Sequence, residues 1–105
     1  MTDKSSLTTL FVTYQGTPET HFDRQYYVDT HLPLVLKSWQ QYGLESIAAL
    51  FPAVAQSGTI AIAELRFRDE AAMAASLASS EASTVMADVP RFTNVKPALL
   101  RAVPL

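Results

Sequence analysis

Apolar and polar positions along the chain fall into six segments with distinct periods. Leu7–Tyr14 reads Leu-Thr-Thr-Leu-Phe-Val-Thr-Tyr, a β-branched and aromatic run of strand length. Period two puts Thr8, Leu10, Val12 and Tyr14 on one face and Thr9, Phe11 and Thr13 on the other. Gln15-Gly16-Thr17-Pro18 is a turn, because Gly admits unusual dihedrals and Pro presets φ. Residues 19–42 then follow a helical pattern, with Thr20 as the expected N-cap, Asp23 in the first turn and Gly43 as the stop. Pro33 interrupts that pattern. It lacks an amide donor and crowds the carbonyl of Asp29, so a kink is predicted near residues 30–33, beside His31.

A second strand is predicted from Leu44 to near Pro52, a loop over residues 55–58, and a third strand over Thr59–Phe67. In that third strand Ile60, Ile62, Glu64 and Arg66 share one face, and Ala61, Ala63, Leu65 and Phe67 share the other. Asp69 caps a predicted Ala/Ser-rich helix over residues 69–79, followed by a short helical piece over residues 81–87. Pro90, Pro97 and Pro104 break up the tail. A short extended segment is expected over residues 92–95 and a last strand over residues 98–103; strand prolines belong on edges or at bulges, so Pro97 argues against one continuous central strand. Residues 1–6 are polar and are expected to be loose.

The resulting order is β–α–β–β–α–β, the split βαβ arrangement of the ferredoxin-like α+β fold, with residues 1–105 forming a single domain. Two helices cover only one face of a four-stranded sheet. The other face would carry apolar side chains such as Ile60, Ile62, Val12 or Leu10, and a second copy of the sheet would shelter them in a homodimer closed as an α/β barrel. A polar, solvated open face is the alternative.

Composition narrows the function. Hydrophobic residues make up 49% and charged residues 17%, enough for a core with apolar surface to spare. The formal net charge of -2 is spread over eight basic and ten acidic residues without a basic tract, which argues against nucleic-acid binding. The chain has no cysteine, so disulfides, thiolate metal ligation and thiol nucleophiles are excluded. The opening residues MTDKSSL lack the apolar core of a signal peptide, and no apolar run approaches the roughly 20 residues that span a bilayer. A cytoplasmic protein without membrane contact is expected.

The chemistry-bearing stretch is Phe22-Asp23-Arg24-Gln25-Tyr26-Tyr27-Val28-Asp29-Thr30-His31-Leu32-Pro33-Leu34. On an unbroken helix Asp23, Tyr27 and His31 lie along one stripe at i, i+4 spacing. Histidine, with an ordinary pKa of about 6.5, suits proton transfer near neutrality. The Tyr27 hydroxyl could orient the imidazole or donate to a developing oxyanion, and a carbonyl freed by the kink could set the ring's tautomer. Against this stands a plainer reading, in which His31 is a satisfied, half-buried residue and the tyrosines are core aromatics. Glu64 interrupts an apolar strand and is the second candidate base, since desolvation raises a carboxylate's pKa. Its plain reading is an ion pair with Arg66. Tyr14 joins Glu64 only if the first strand turns its even-numbered face to the cavity. Trp39 and Tyr42 read as core or dimer contacts, and His21 as a solvated turn residue. His21 and His31 have no zinc-site spacing, and no glycine-rich phosphate loop is present, so neither a metal nor a nucleotide cofactor is expected.

The aromatic pair followed by His-x-Pro-Leu on the first helix resembles the signature of the EthD family, and Asp88, Pro90, Phe92 and Thr93 resemble that family's C-terminal acidic and Phe-Thr elements. The resemblance implies a member of the dimeric α/β-barrel superfamily of small homodimers, associated with degradation of organic compounds. Expected, therefore, is a cofactor-independent site in each subunit for a small hydrophobic or aromatic molecule, working as an isomerase, lyase or monooxygenase. His31, Tyr27 and Glu64 are the candidate catalytic residues, and Tyr14, Tyr26, Phe22 and Asp23 the candidate substrate contacts. A non-catalytic ligand-binding protein, or an accessory to an oxygenase system, is the competing expectation. Haem handling is disfavoured because neither histidine has a ligand-like context.

Overall fold

The computed structural model describes residues 7–102, so the expectations for residues 1–6 and for Val103 lie outside the described residues. Four strands, β1 (Thr8–Gly16), β2 (Leu44–Leu50), β3 (Gly58–Phe67) and β4 (Ala98–Ala102), form one antiparallel sheet in the order β2-β3-β1-β4. A first helical arm joins β1 to β2. It runs through α1 (Arg24–Tyr26), a π-helical turn (Tyr27–His31), α2 (Leu32–Trp39) and a closing 3-10 turn (Gln40–Tyr42). Between β3 and β4 come α3 (Glu70–Ala78), α4 (Glu81–Asp88) and a 3-10 turn (Val89–Arg91). The fold is α+β and ferredoxin-like.

Register settles which faces coincide. Leu10 pairs with Leu65, Val12 with Ala63 and Tyr14 with Ala61, and these residues form the sheet's contribution to the core beneath the helices. The opposite face carries Phe11 beside Glu64 and Thr13 beside Ile62, flanked by Leu50 on β2 and Leu100 on β4. No described helix covers that face, and Leu50 and Leu100 are 48% and 57% exposed. Leu10 and Val12, expected among the residues of the open face, are on the helix side, and Ile60, at the irregularity in the β1–β3 register, is buried in the core cluster.

Local chemistry moved several boundaries. Asp23, not Thr20, caps the first arm: its carboxylate accepts the Tyr26 N–H at 3.0 Å, whereas the Thr20 hydroxyl closes the preceding turn by accepting the Thr17 N–H at 2.9 Å. The interruption predicted at Pro33 is a π-helical turn over the five residues before α2, and Pro33 is the second residue of α2. Gly43 ends the arm with φ 117°, the left-handed conformation that favours glycine. No strand forms over residues 92–95: Phe92 closes the 3-10 turn, and Thr93 makes a lone bridge to Phe22. β4 follows Pro97 and is an edge strand, as a proline at its entry requires.

Candidate functional site

Between the helix-side face of the sheet and the helices lies a cavity of about 320 Å³, at the lower end of the roughly 300–1,000 Å³ typical of small-molecule sites. β1 and β3 supply its floor with Leu10, Val12, Ala63 and Leu65. Leu32, Val35 and Trp39 line it from α2, and Ala82, Val85 and Met86 from α4, spacings that set each row on one helical face. The lining is almost wholly apolar. Its polar groups gather where Tyr14 of β1 meets Tyr27 and His31 of the π-helical turn.

The π-helical turn is what assembles that end. One residue is inserted relative to an α-helix, so side chains about five apart come to share a face. Tyr26 and His31, five positions apart, both reach the carboxylate of Asp88 at the end of α4. The Tyr26 hydroxyl donates to Oδ1 at 2.8 Å, and Nδ1 of His31 lies 2.9 Å from Oδ2. Tyr27 stacks nearly parallel on the imidazole, with ring centroids 5.6 Å apart and an angle of 17°. Phe92 leans on the other rings at 4.6 Å from His31 and 4.9 Å from Tyr27.

Asp88 reaches this point because the segment after α4 is tied to the start of the first arm. The Asp23 N–H donates to the Phe92 carbonyl at 2.8 Å, and the Thr93 hydroxyl donates to the His21 carbonyl at 2.7 Å. At the other end of α4 the Tyr42 hydroxyl donates to Glu81 at 2.7 Å. Two latches thus hold α4 along the first arm and above the cavity.

Electrostatics define the state of each group. Burial lowers the pKa of His31, and Asp88 opposes that only in part, so the ring is neutral at neutral pH. The carboxylate of Asp88 then accepts the Nδ1–H, leaving the Nε2 lone pair on the ring's other edge, where no described residue takes it. Burial works against the charged form of Asp88, but hydrogen bonds from His31 and Tyr26 outweigh it and hold the carboxyl below its usual range. Desolvation pushes the hydroxyls of Tyr14 and Tyr27, which interact with each other, far above the ordinary phenol range. Both therefore stay protonated. A neutral imidazole with Nε2 unengaged can remove a proton, and a buried phenol beside it can hydrogen-bond an oxyanion.

Of the residues singled out in the sequence, His31, Tyr27 and Tyr14 meet at this end of the cavity. Phe22 stands behind them, packed edge-on at 5.2 Å from Tyr14 and 5.0 Å from Tyr27, and supports the wall without lining it. Tyr26 is absorbed by Asp88, and Asp23 by the helix cap. Glu64 is on the opposite face of the sheet, 3.4 Å from Arg66, and is not brought together with His31 or Tyr14. The imidazole is oriented by a carboxylate; neither a freed carbonyl nor the Tyr27 hydroxyl does this. Asp88 is the residue missed as a site member, although its place in the C-terminal motif was a signal. Trp39, expected in the core or a dimer contact, borders the cavity. Among the described residues no three His, Cys, Asp or Glu side chains gather as a metal site, and no helix is long and apolar enough to cross a membrane.

Comparison with known proteins gives a consistent picture. Residues 15–96 match the model of the EthD domain. No curated protein matches the chain. Among solved structures, an EthD-like protein of Ralstonia eutropha JMP134 superposes with a TM-score of 0.80 at 18% identity, over 94% of this chain and 92% of that one. A cofactor-independent oxygenase of Streptomyces nogalater, SnoaB in its N63A mutant form, gives 0.66 at 12% identity over 95% and 96% of the two chains. A dimeric ferredoxin-like protein from an uncultured marine organism gives 0.65 at 16% identity over 94% and 95%. At these identities the structural likeness speaks to the fold.

Proposed function

This chain belongs to the EthD family, and from that premise we propose that it converts a small hydrophobic or aromatic organic molecule by cofactor-independent proton transfer, with His31 as the acid–base group. The observation that carries this reading is the Asp88–His31 pair at the edge of an apolar cavity. Nε2 of His31 takes a proton from a substrate carbon or hydroxyl. The electron pair left behind moves onto a substrate oxygen, which Tyr14 and Tyr27 meet with hydrogen bonds. The imidazolium formed is stabilised by Asp88 and returns its proton. Delivered to a different carbon, that proton completes an isomerisation; delivered to a leaving hydroxyl, it expels water and completes a dehydration. The fold shared with a cofactor-independent oxygenase supports small-molecule conversion as a use of such a cavity.

The working unit in this reading is a cytoplasmic homodimer of a single-domain chain. Phe11, Ile62, Leu50 and Leu100 form an apolar patch on the sheet face that no described helix covers, and a second sheet laid on it closes an α/β barrel. A neighbour described as dimeric supports this assembly. Glu64, on that same face, then belongs to the subunit contact and leaves the catalytic set.

A second reading follows from how few polar groups the cavity offers: it retains an apolar ligand without changing it, as an accessory to an oxygenase system. Turnover separates the two. His31→Gln abolishes product formation from a true substrate and leaves the oligomer intact if His31 is the base. Saturable binding with no product in any aerobic or anaerobic assay favours the accessory role, and turnover unchanged by His31→Gln removes His31 from the mechanism.

A further inference from the structure

The cavity lining contains an imidazole, two phenols and an indole, but no lysine, arginine, aspartate or glutamate. That inventory limits what charge an occupant can bring. Asp88 already places a negative charge beside His31, from just outside the lining. Its cationic neighbour among the described residues, Arg91, sits 3.7 Å away with a side chain 74% exposed, so water screens it. A carboxylate or phosphate entering the cavity leaves its hydration shell and finds no fixed cation. It also meets the Asp88 charge across a single imidazole ring.

The positions of donors and acceptors say what does fit. Nε2 of His31 is an acceptor that no described residue engages, and the Tyr14 and Tyr27 hydroxyls, paired with each other, belong to the same end of the lining. One ligand oxygen that both donates and accepts satisfies this group, and a hydroxyl is such an oxygen. The remaining wall is apolar apart from the Trp39 indole N–H, a buried donor that no described residue engages, and it calls for a largely apolar body.

We propose that the site selects neutral, ring-sized molecules bearing a weakly acidic hydroxyl, such as a phenol or enol, binds them in the O–H form, and rejects their carboxylate analogues. This deepens the acid–base reading above and rests on it, because the hydroxyl is the group presented to His31. The proton moves, when it does, from that hydroxyl to Nε2 within the complex, so binding leaves the proton count of the complex unchanged.

Calorimetric titration of the full chain with 2-naphthol, naphthalene and 2-naphthoate at pH 8 tests it without requiring turnover. Expected is saturable 2-naphthol binding at least tenfold tighter than naphthalene and at least a hundredfold tighter than 2-naphthoate, with no net proton exchange when buffers of different ionisation enthalpy are compared. Equal affinity for naphthalene and 2-naphthol overturns hydroxyl recognition, and 2-naphthoate binding as tightly as 2-naphthol overturns the charge argument. Either result leaves the acid–base reading to its own turnover test.

Discussion

Nδ1 of His31 stands 2.9 Å from Oδ2 of Asp88, although 57 residues separate them in the chain. His31 comes from the π-helical turn of the first arm, and Asp88 from the end of α4. The first arm delivers an imidazole, and α4 delivers the carboxylate that fixes its tautomer. The consequences can be measured.

Asp88→Asn keeps a hydrogen-bond acceptor but removes the charge that supports the imidazolium. Activity should fall by a factor within the roughly 10²–10⁴ that general acid–base catalysis supplies, and by less than in His31→Gln. The acidic limb of the rate profile should also move to lower pH, because Asp88 is what raises the His31 pKa against burial. Steady-state rates across pH check both effects.

Tyr26→Phe removes the hydrogen bond to Oδ1 and leaves Asp88 with more of its charge to direct at Nδ1. The groups facing His31 are then Asp88 from α4, Arg91 beyond it, Tyr27 on the same turn and Tyr14 from β1. Only the first changes. The Asp88 pKa should rise, and that of His31 should rise with it, as nuclear magnetic resonance titration of the imidazole would report. A His31 pKa unchanged in this variant would deny Tyr26 any part in tuning the base.

Stability should carry the same signature. His31 binds its proton more weakly folded than unfolded, so between its lowered pKa and about 6.5 the unfolded chain holds more protons and stability rises with pH. Asp88, also lowered, adds a second loss of stability as pH falls below the ordinary carboxylate range. Urea midpoints measured at successive pH values should show the histidine step in the native chain and a flatter curve for His31→Gln.

Ala63 faces Val12 on the cavity floor, and Ala63→Phe directs a ring into the empty volume. Ligand binding should weaken more than tenfold with little loss of stability, since the cavity has room for the ring. A destabilisation of about 1–3 kcal/mol, the usual result of overpacking, would mean that the space closes in solution.

Leu100→Asp places a charge on the edge strand of the open sheet face, beside Phe11. Light scattering should show the dimer replaced by single subunits at micromolar concentration. A native chain that is already monomeric there would remove the barrel from the proposal.

Local sequence was enough for the element order, the strand faces and the histidine motif, because periodicity and caps are properties of neighbouring residues. Leu10, Val12 and Tyr14 share a face by the pleat alone, and Gly43 marks a helix end by its own conformational freedom. What the tertiary structure decided is which of these faces meet. Periodicity separates Glu64 from Ala63 and Leu65 but does not say that the helices cover the alanine side. Nor does it show that an inserted residue before Pro33 turns Tyr26 away from the cavity and toward Asp88. Those outcomes depend on contacts between residues far apart in the chain, whose energies no local pattern contains. The histidine could therefore be singled out from sequence, while its carboxylate partner waited for the fold.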